Sequence, residues 1–308
     1  MFLSVMLAGL LALSSAPQRL APKQIRIPMR AEARAADADP LAAKDISVTL
    51  DGARARILSL RRPKDDLVVL LVLDLTGDLS AVDLAKKALD EALTHLPPNA
   101  YVAILRAQDR LKAVVDPTAD RAAATSAIDN TPVSGKAALL DTLETAAGVA
   151  DAMMSKSAAR VAVFYVTDSS IYNYQDDYTN PVINSSDAHD MSRVFPEGLV
   201  KEKISRMDAG LAFLQPPLFI VHLSYQSDRL NEAYQNGLMT LAGSSGGMSV
   251  FCRSNTEIAE AIQKVVGAIV SHYTVTIELP NKPARSLQIQ MESPERLTYR
   301  TRFTLKTR

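Results

Sequence analysis

The stretch LVVLLVLDLTGDLS, residues 67–80, carries seven apolar side chains straight into Asp74 and then into the polar group Thr76, Gly77 and Asp78. A strand with one wet face alternates apolar and polar residues. A strand that is apolar on both faces belongs in a parallel sheet covered by helices on either side. RVAVFYVTD (160–168) and PPLFIVHL (216–223) have the same character. Helical stripes lie between these runs. Val82, Ala85, Leu89, Ala92 and Leu96 precede Pro97-Pro98, and Leu230, Ala233, Tyr234, Gly237, Leu238 and Leu241 stop at Gly243. A third stripe, Ile258, Ala261, Ile262, Val265 and Ile269, follows Ser254 and Glu257 in capping-box spacing. A further helix is expected over 137–154, and YVAILRA (101–107) with RLKAVV (110–115) reads as a shorter pair near the sheet edge. Strands and helices in this order predict an α/β fold with a doubly wound, mostly parallel sheet.

Outside that layer, Asp51-Gly52 between ISVTL and ARARILSL predicts a tight hairpin. YTVTIEL, SLQIQM and TYRTRFTLK near the end predict strands that pair with one another or with the hairpin as a small β appendage. The expected organisation is a secretory signal over 1–16, a flexible tether over 17–44, a β-hairpin over 45–63, the α/β domain over 64–271 and C-terminal strands over 272–308. Residues 1–16 are an uncharged apolar run ending in small residues, which predicts a cleaved signal, a secreted or periplasmic protein and no membrane span afterwards. Lys plus Arg and Asp plus Glu are equal at 34 each, which argues against a nucleic-acid surface. The single cysteine, Cys252, excludes an internal disulfide and reads as a half-buried thiol at a strand end.

Open parallel sheets bind ligands at the carboxyl ends of their strands. Two buried strands end there in acid, Asp74 and Asp168, and the turn Ser134-Gly135-Lys136 leads into a helix on the same side. At these residues the chain resembles the von Willebrand factor type A domain, and more closely its bacterial secreted VWFA-related branch. The matching elements are Asp74-Leu-Thr76-Gly-Asp78 for the family's DxSxS, Val166-Thr167-Asp168 for its third-strand acid, and the late segment LAGSSGGMSVFCRSNTEIAEAI (241–262). The resemblance implies a VWA fold and a metal-ion-dependent adhesion site. In such a site Asp74, Thr76, Asp78 and Asp168 would hold Mg²⁺ or Mn²⁺, with one position left for an acidic side chain of a protein partner. Two positions depart from the pattern, since Asp78 stands for a Ser and Ala137 for a Thr. Three carboxylates would then gather, each like-charge pair costing about 3 kcal/mol at roughly 5 Å and an effective dielectric of ~20. Either a divalent cation neutralises them, or Lys136 does and leaves a metal-free structural or assembly domain; Ser134 and Lys136 are therefore possible modulators of the site.

The long polar loop after Asp168 supplies candidate partner contacts in Tyr172, Tyr174, Asp176, Asp177 and Tyr178. His189 among acids and the acceptor pattern at Asn184 are weaker signals in the same loop. Gly243-Ser-Ser245-Gly-Gly247 matches the GxSxG of hydrolases, but it follows a helix and precedes a strand, the reverse of a nucleophile elbow. The expectation is a non-enzymatic binding module for a protein ligand without an organic cofactor, a Ser245 hydrolase being the remote alternative.

Overall fold

The computed structural model describes residues 23–32, 40–179, 182–183 and 193–305. The chain opens with β1 (Gln24–Ala31), β2 (Ser47–Leu50), β3 (Ala53–Arg54) and β4 (Ile57–Arg61). Then come β5 (Leu67–Asp74), α1 (Leu79–Thr94), β6 (Ala100–Arg106), β7 (Lys112–Thr118), α2 (Arg121–Asp129), α3 (Leu139–Lys156) and β8 (Arg160–Thr167). A short pair, β9 (Val182–Ile183) and β10 (Arg193–Val194), precedes α4 (Pro196–Leu211), β11 (Leu218–His222), α5 (Arg229–Ser244), β12 (Met248–Phe251) and α6 (Ile258–Ser271). β13 (Tyr273–Glu278), β14 (Ser286–Glu292), β15 (Leu297–Tyr299) and β16 (Arg302–Thr304) end it.

The main sheet has the order β12-β11-β8-β5-β6-β7, parallel throughout except for β7, which runs antiparallel to β6 at the edge. Period-two geometry explains the unbroken apolar run of β5. Leu67, Val69, Leu71 and Leu73 face a core closed by α1, α2 and α6, while Leu70 and Val72 face the opposite core closed by α3, α4 and α5. The doubly wound layer is therefore the fold the sequence predicts. α2 and α4 were not among the predicted helices, although Val200, Ile204, Met207 and Leu211 keep a helical spacing in α4 and are buried. α5 runs one residue past Gly243, and the left-handed position belongs to Gly246, at φ 84°. The capping box before α6 does not form: Ser254 makes no cap and the Glu257 carboxylate accepts from the Arg253 N–H.

The second unit corrects the expected organisation. Residues 24–31 are a strand, not part of a tether, and β1 lies between β13 and β15 in a four-stranded sheet ordered β15-β1-β13-β4. In QIRIPMRA, Ile25, Ile27 and Met29 point into the core while Gln24, Arg26 and Arg30 lie on the alternate positions, a short pattern broken up by Pro28 and the arginines. The second sheet has the order β16-β14-β2-β3, and the two share one core of Ile27, Val48, Val275, Ile277, Ile289 and Phe303. Asp51 and Gly52, at φ 49° and 81°, do make the β2–β3 turn. The predicted hairpin ends early, however, because the chain after Arg54 leaves to pair β4 with β13. The C-terminal strands thus join the early ones in a small sandwich.

Candidate functional site

Parallel register brings the two acids together. Asp74 pairs with Thr167, and the Asp168 N–H donates to the Asp74 carbonyl at 3.4 Å. The acids share the carboxyl edge of the sheet, as expected, and peptide N–H groups surround them. Asp168 accepts from the backbone of Thr76 at 2.6 Å, Gly77 at 2.8 Å and Asp78 at 3.0 Å, and from the Thr76 hydroxyl at 3.1 Å. The turn between β5 and α1 wraps this carboxylate as a helix N-terminus wraps an anion. Asp74 is fully buried and accepts from the N–H groups of Ala138 at 3.1 Å and Leu139 at 3.3 Å, at the start of α3, and from the Thr167 hydroxyl at 3.2 Å. Burial pushes its carboxyl up to about 6 despite these hydrogen bonds, and Asp168 adds to the rise.

Asp78 does not turn toward the other two. It caps α1, accepting from the N–H groups of Ser80 at 3.1 Å and Ala81 at 3.2 Å and from the Ser80 hydroxyl at 2.8 Å. The Ser80 hydroxyl and the Ala81 N–H hold its carboxyl below the usual carboxylate range. Ser134 and Lys136 are exposed. The Lys136 N–H donates to the exposed Asp109 carboxylate, but its ammonium makes no hydrogen bond or ion pair among the described residues, so the expected lysine plug does not form. Main-chain N–H groups, not a lysine, face the two acids.

That arrangement tests the fit of a cation. Mg²⁺ or Mn²⁺ wants a near-octahedral oxygen shell. Both oxygens of Asp74 and both of Asp168 already accept from N–H donors, Asp78 is turned onto its helix, and Ala137 has no hydroxyl where the family pattern places a Thr. Among the described residues no group of three or more His, Cys, Asp or Glu is placed to hold a metal. The residues present do not fit the divalent site that the resemblance implies.

The loop after Asp168 divides in two. Tyr172 is exposed, its hydroxyl donating at 2.8 Å to Asp228, which caps α5, and Asp176 and Asp177 are exposed as well. Tyr174 and Tyr178 are not available to a partner: they are 4% and 6% exposed and pack edge to face on each other. Apolar contacts with α3 and α5 draw them inward. Behind Asp74, hydroxyls of Thr167, Ser169, Tyr234 and Tyr174 form a buried chain with links of 2.6, 3.1 and 2.8 Å. Burial raises the Tyr174 and Tyr234 phenols above their ordinary range. Nothing in the sequence spacing announces this chain, because its members lie on three separate elements. His189 and Asn184 fall outside the described residues.

Ser245 is buried at the far edge of the sheet. Its hydroxyl donates to the Ala242 carbonyl at 2.7 Å and accepts from the Leu218 N–H at 2.8 Å, the work of a helix end rather than of a nucleophile. His272 gives Nδ1 to the Ile269 carbonyl, and burial holds it down at about 3.

No family model matches the chain, and no curated protein sequence does. Solved structures do. A von Willebrand factor type A protein from Catenulispora acidiphila is similar with a TM-score of 0.48 at 10% identity, over 86% of this chain and 75% of that one. The vWF domain of the type V pili tip protein Mfa5 from Porphyromonas gingivalis gives 0.41 at 12%, over 67% and 95%. Proximal thread matrix protein 1 from the mussel byssus, with a zinc occupied MIDAS motif, gives 0.43 at 14%, over 70% of this chain and 48% of that one. Each of these likenesses has a TM-score below 0.5 and an identity below 15%. What the site does is read from its own residues.

Proposed function

We propose that this chain is a non-enzymatic, VWA-like binding module, secreted or periplasmic, that engages a protein partner at the carboxyl edge of its main sheet without a divalent ion. One observation carries the reading: both carboxylate oxygens of Asp74 and of Asp168 accept from main-chain N–H groups, so the edge is held together by hydrogen bonds within the chain. The surroundings suit a protein ligand. Leu79, Tyr172 and Tyr225 follow β5, β8 and β11 at this edge and are 61%, 51% and 37% exposed, with the Arg253 guanidinium 5.6 Å from the Tyr225 ring. Tyrosine and arginine are among the usual anchors of protein interfaces. Among the described residues no helix is long and apolar enough to cross a membrane.

The test is capture from the source's cell-envelope extract with wild-type bait and with Leu79→Asp and Tyr172→Ala baits, each in Mg²⁺ and in chelator. The expected result is one set of captured proteins, equal in both buffers and lost with either variant. Capture that requires Mg²⁺, together with a calorimetric Mg²⁺ or Mn²⁺ signal that Asp74→Ala abolishes, would restore the metal-dependent reading and overturn this one.

A further inference from the structure

The opposite side of the molecule holds a second candidate site, in the seam where the sandwich meets the amino edge of the main sheet. β1, β13 and β4 bury Ile25, Ile27, Val275 and Ile277 on one face, so their alternate residues form the other face in cross-strand rows. Arg26 stands opposite Thr276, Thr276 opposite Ser59, and Thr274 opposite Arg61. These five side chains and the turn at Ala158-Ala159 before β8 line a cleft of about 210 Å³. That is below the ~300–1,000 Å³ of sites for drug-sized organic ligands. No acidic side chain lines it.

Three features of this cleft bear on what it can bind. Two guanidiniums share one small cleft, and the lowering of Arg26 has burial as its first cause and the charge of Arg61 as its second, with Asp151 opposing them. Asp151 gives Oδ1 to the main chain and side chain of Gln215. Arg26 spends one nitrogen on the Ser157 carbonyl at 2.6 Å, while the Arg61 guanidinium has no hydrogen bond or ion pair among the described residues. Finally, Thr274, which lines this cleft, is 1% exposed, and its hydroxyl oxygen is buried with no hydrogen-bond partner among the described residues. A buried hydroxyl without a partner is destabilising, so a ligand that accepts from it recovers that cost.

We infer that this cleft binds a tetrahedral oxyanion, a phosphate or sulfate group, between the guanidiniums of Arg26 and Arg61 and over the hydroxyls of Thr274, Thr276 and Ser59. Planar guanidinium forks match such oxyanions with paired charge-assisted hydrogen bonds. The cleft is open to solvent, so the group is either a free ion or the end of a larger molecule.

Thermal unfolding and calorimetry test this with inorganic phosphate, sulfate, glycerol 3-phosphate and acetate, at constant ionic strength set with chloride. The expected result is saturable stabilisation by the tetrahedral anions and none by acetate. Binding should weaken roughly tenfold or more in Arg61→Gln and clearly in Thr274→Val, which keeps the shape of the side chain but removes the donor. Tighter binding of glycerol 3-phosphate than of inorganic phosphate identifies a group carried on a larger molecule, and the reverse identifies the free ion. Phosphate indistinguishable from chloride, acetate bound as well as phosphate, or binding unaltered in both variants would overturn the proposal.

Discussion

The two edges of the main sheet solve opposite electrostatic problems with the same device. At the carboxyl edge, where helices begin, buried acids accept from N–H groups: Asp168 from residues 76–78 ahead of α1, and Asp74 from the start of α3. At the amino edge, where helices end, buried arginines donate to carbonyls. Arg160, fully buried at the start of β8, reaches Val270 and His272 at the end of α6, and Pro63 and Asp65. Arg300 holds Leu211 and Leu214 at the end of α4, and the half-buried Arg30 holds Gly247 after α5. Burial lowers Arg160 and Arg300 to about 10, and both remain charged at neutral pH. Winding on the parallel strands puts the positive ends of α1, α3, α4, α5 and α6 on one edge and their negative ends on the other, while α2, which follows the antiparallel β7, runs the opposite way. The difference lies in what each edge does with its charged side chains. The carboxyl edge keeps its hydrogen-bonded acids behind an exposed surface, whereas the amino edge uses its arginines to fasten the sandwich.

The largest expected effect comes from breaking the amino edge. Arg160→Met should cost about 4 kcal/mol or more in urea unfolding, because several buried carbonyls lose their donors together. A loss under about 1 kcal/mol would show that the arginine is incidental to the docking. At the carboxyl edge, Asp168→Ala should cost about 2–4 kcal/mol by stranding three N–H groups, and Asp168→Asn about half as much, since one acceptor oxygen stays. Equal losses would mean that charge, not acceptor geometry, matters there.

Asp74 sharpens the comparison through pH. Its folded value lies above its unfolded one, so its favourable contribution is full below about 4 and is lost as pH rises through about 6. The rise from 3.8 to about 6 corresponds to about 3 kcal/mol. Stability measured at pH 4 and 7.5 should therefore differ between wild type and Asp74→Asn in that sense, the variant being relatively more stable at 7.5. His222 acts oppositely and is unchanged in the variant. Burial holds it at about 4, with Nε2 donating to the Ser169 carbonyl and Nδ1 accepting from the Ser224 N–H, so its contribution is present above 6.5 and lost on acidification toward 4. An unchanged pH slope in Asp74→Asn would contradict the assignment. The smallest effect belongs to Lys136→Ala, which should leave unfolding within about 0.5 kcal/mol of wild type, as for an exposed charge with no partner among the described residues.

The α/β layer was legible because each central strand is apolar on both faces and the acids fall at strand ends, where their edge follows from chain direction alone. The meeting of Asp74 and Asp168 was readable for that reason. How they are held was not, since the donors are backbone N–H groups that carry no residue signature. Asp78 misled as a third ligand because an N-cap aspartate and a metal-ligand aspartate occupy the same place after a strand. Tyr174 and Tyr178 looked like surface tyrosines within a polar loop, and only the packing of α3 and α5 shows them buried. β1 escaped notice because its partner strands lie at the far end of the chain.

That last pairing sets an order of events for folding. Gln24 pairs with Glu278, which is 278 − 24 = 254 positions away. Such a contact closes a very long loop and adds little until the intervening layer has brought its ends together. The α/β layer can condense from neighbouring strands and helices as they emerge, but β1 must wait beside it, its apolar side uncovered, until the final strands are made. A chain stopped before residue 273 would keep that sticky edge permanently, and aggregation of such truncations, relieved by supplying the missing strands as a separate peptide, would be its signature.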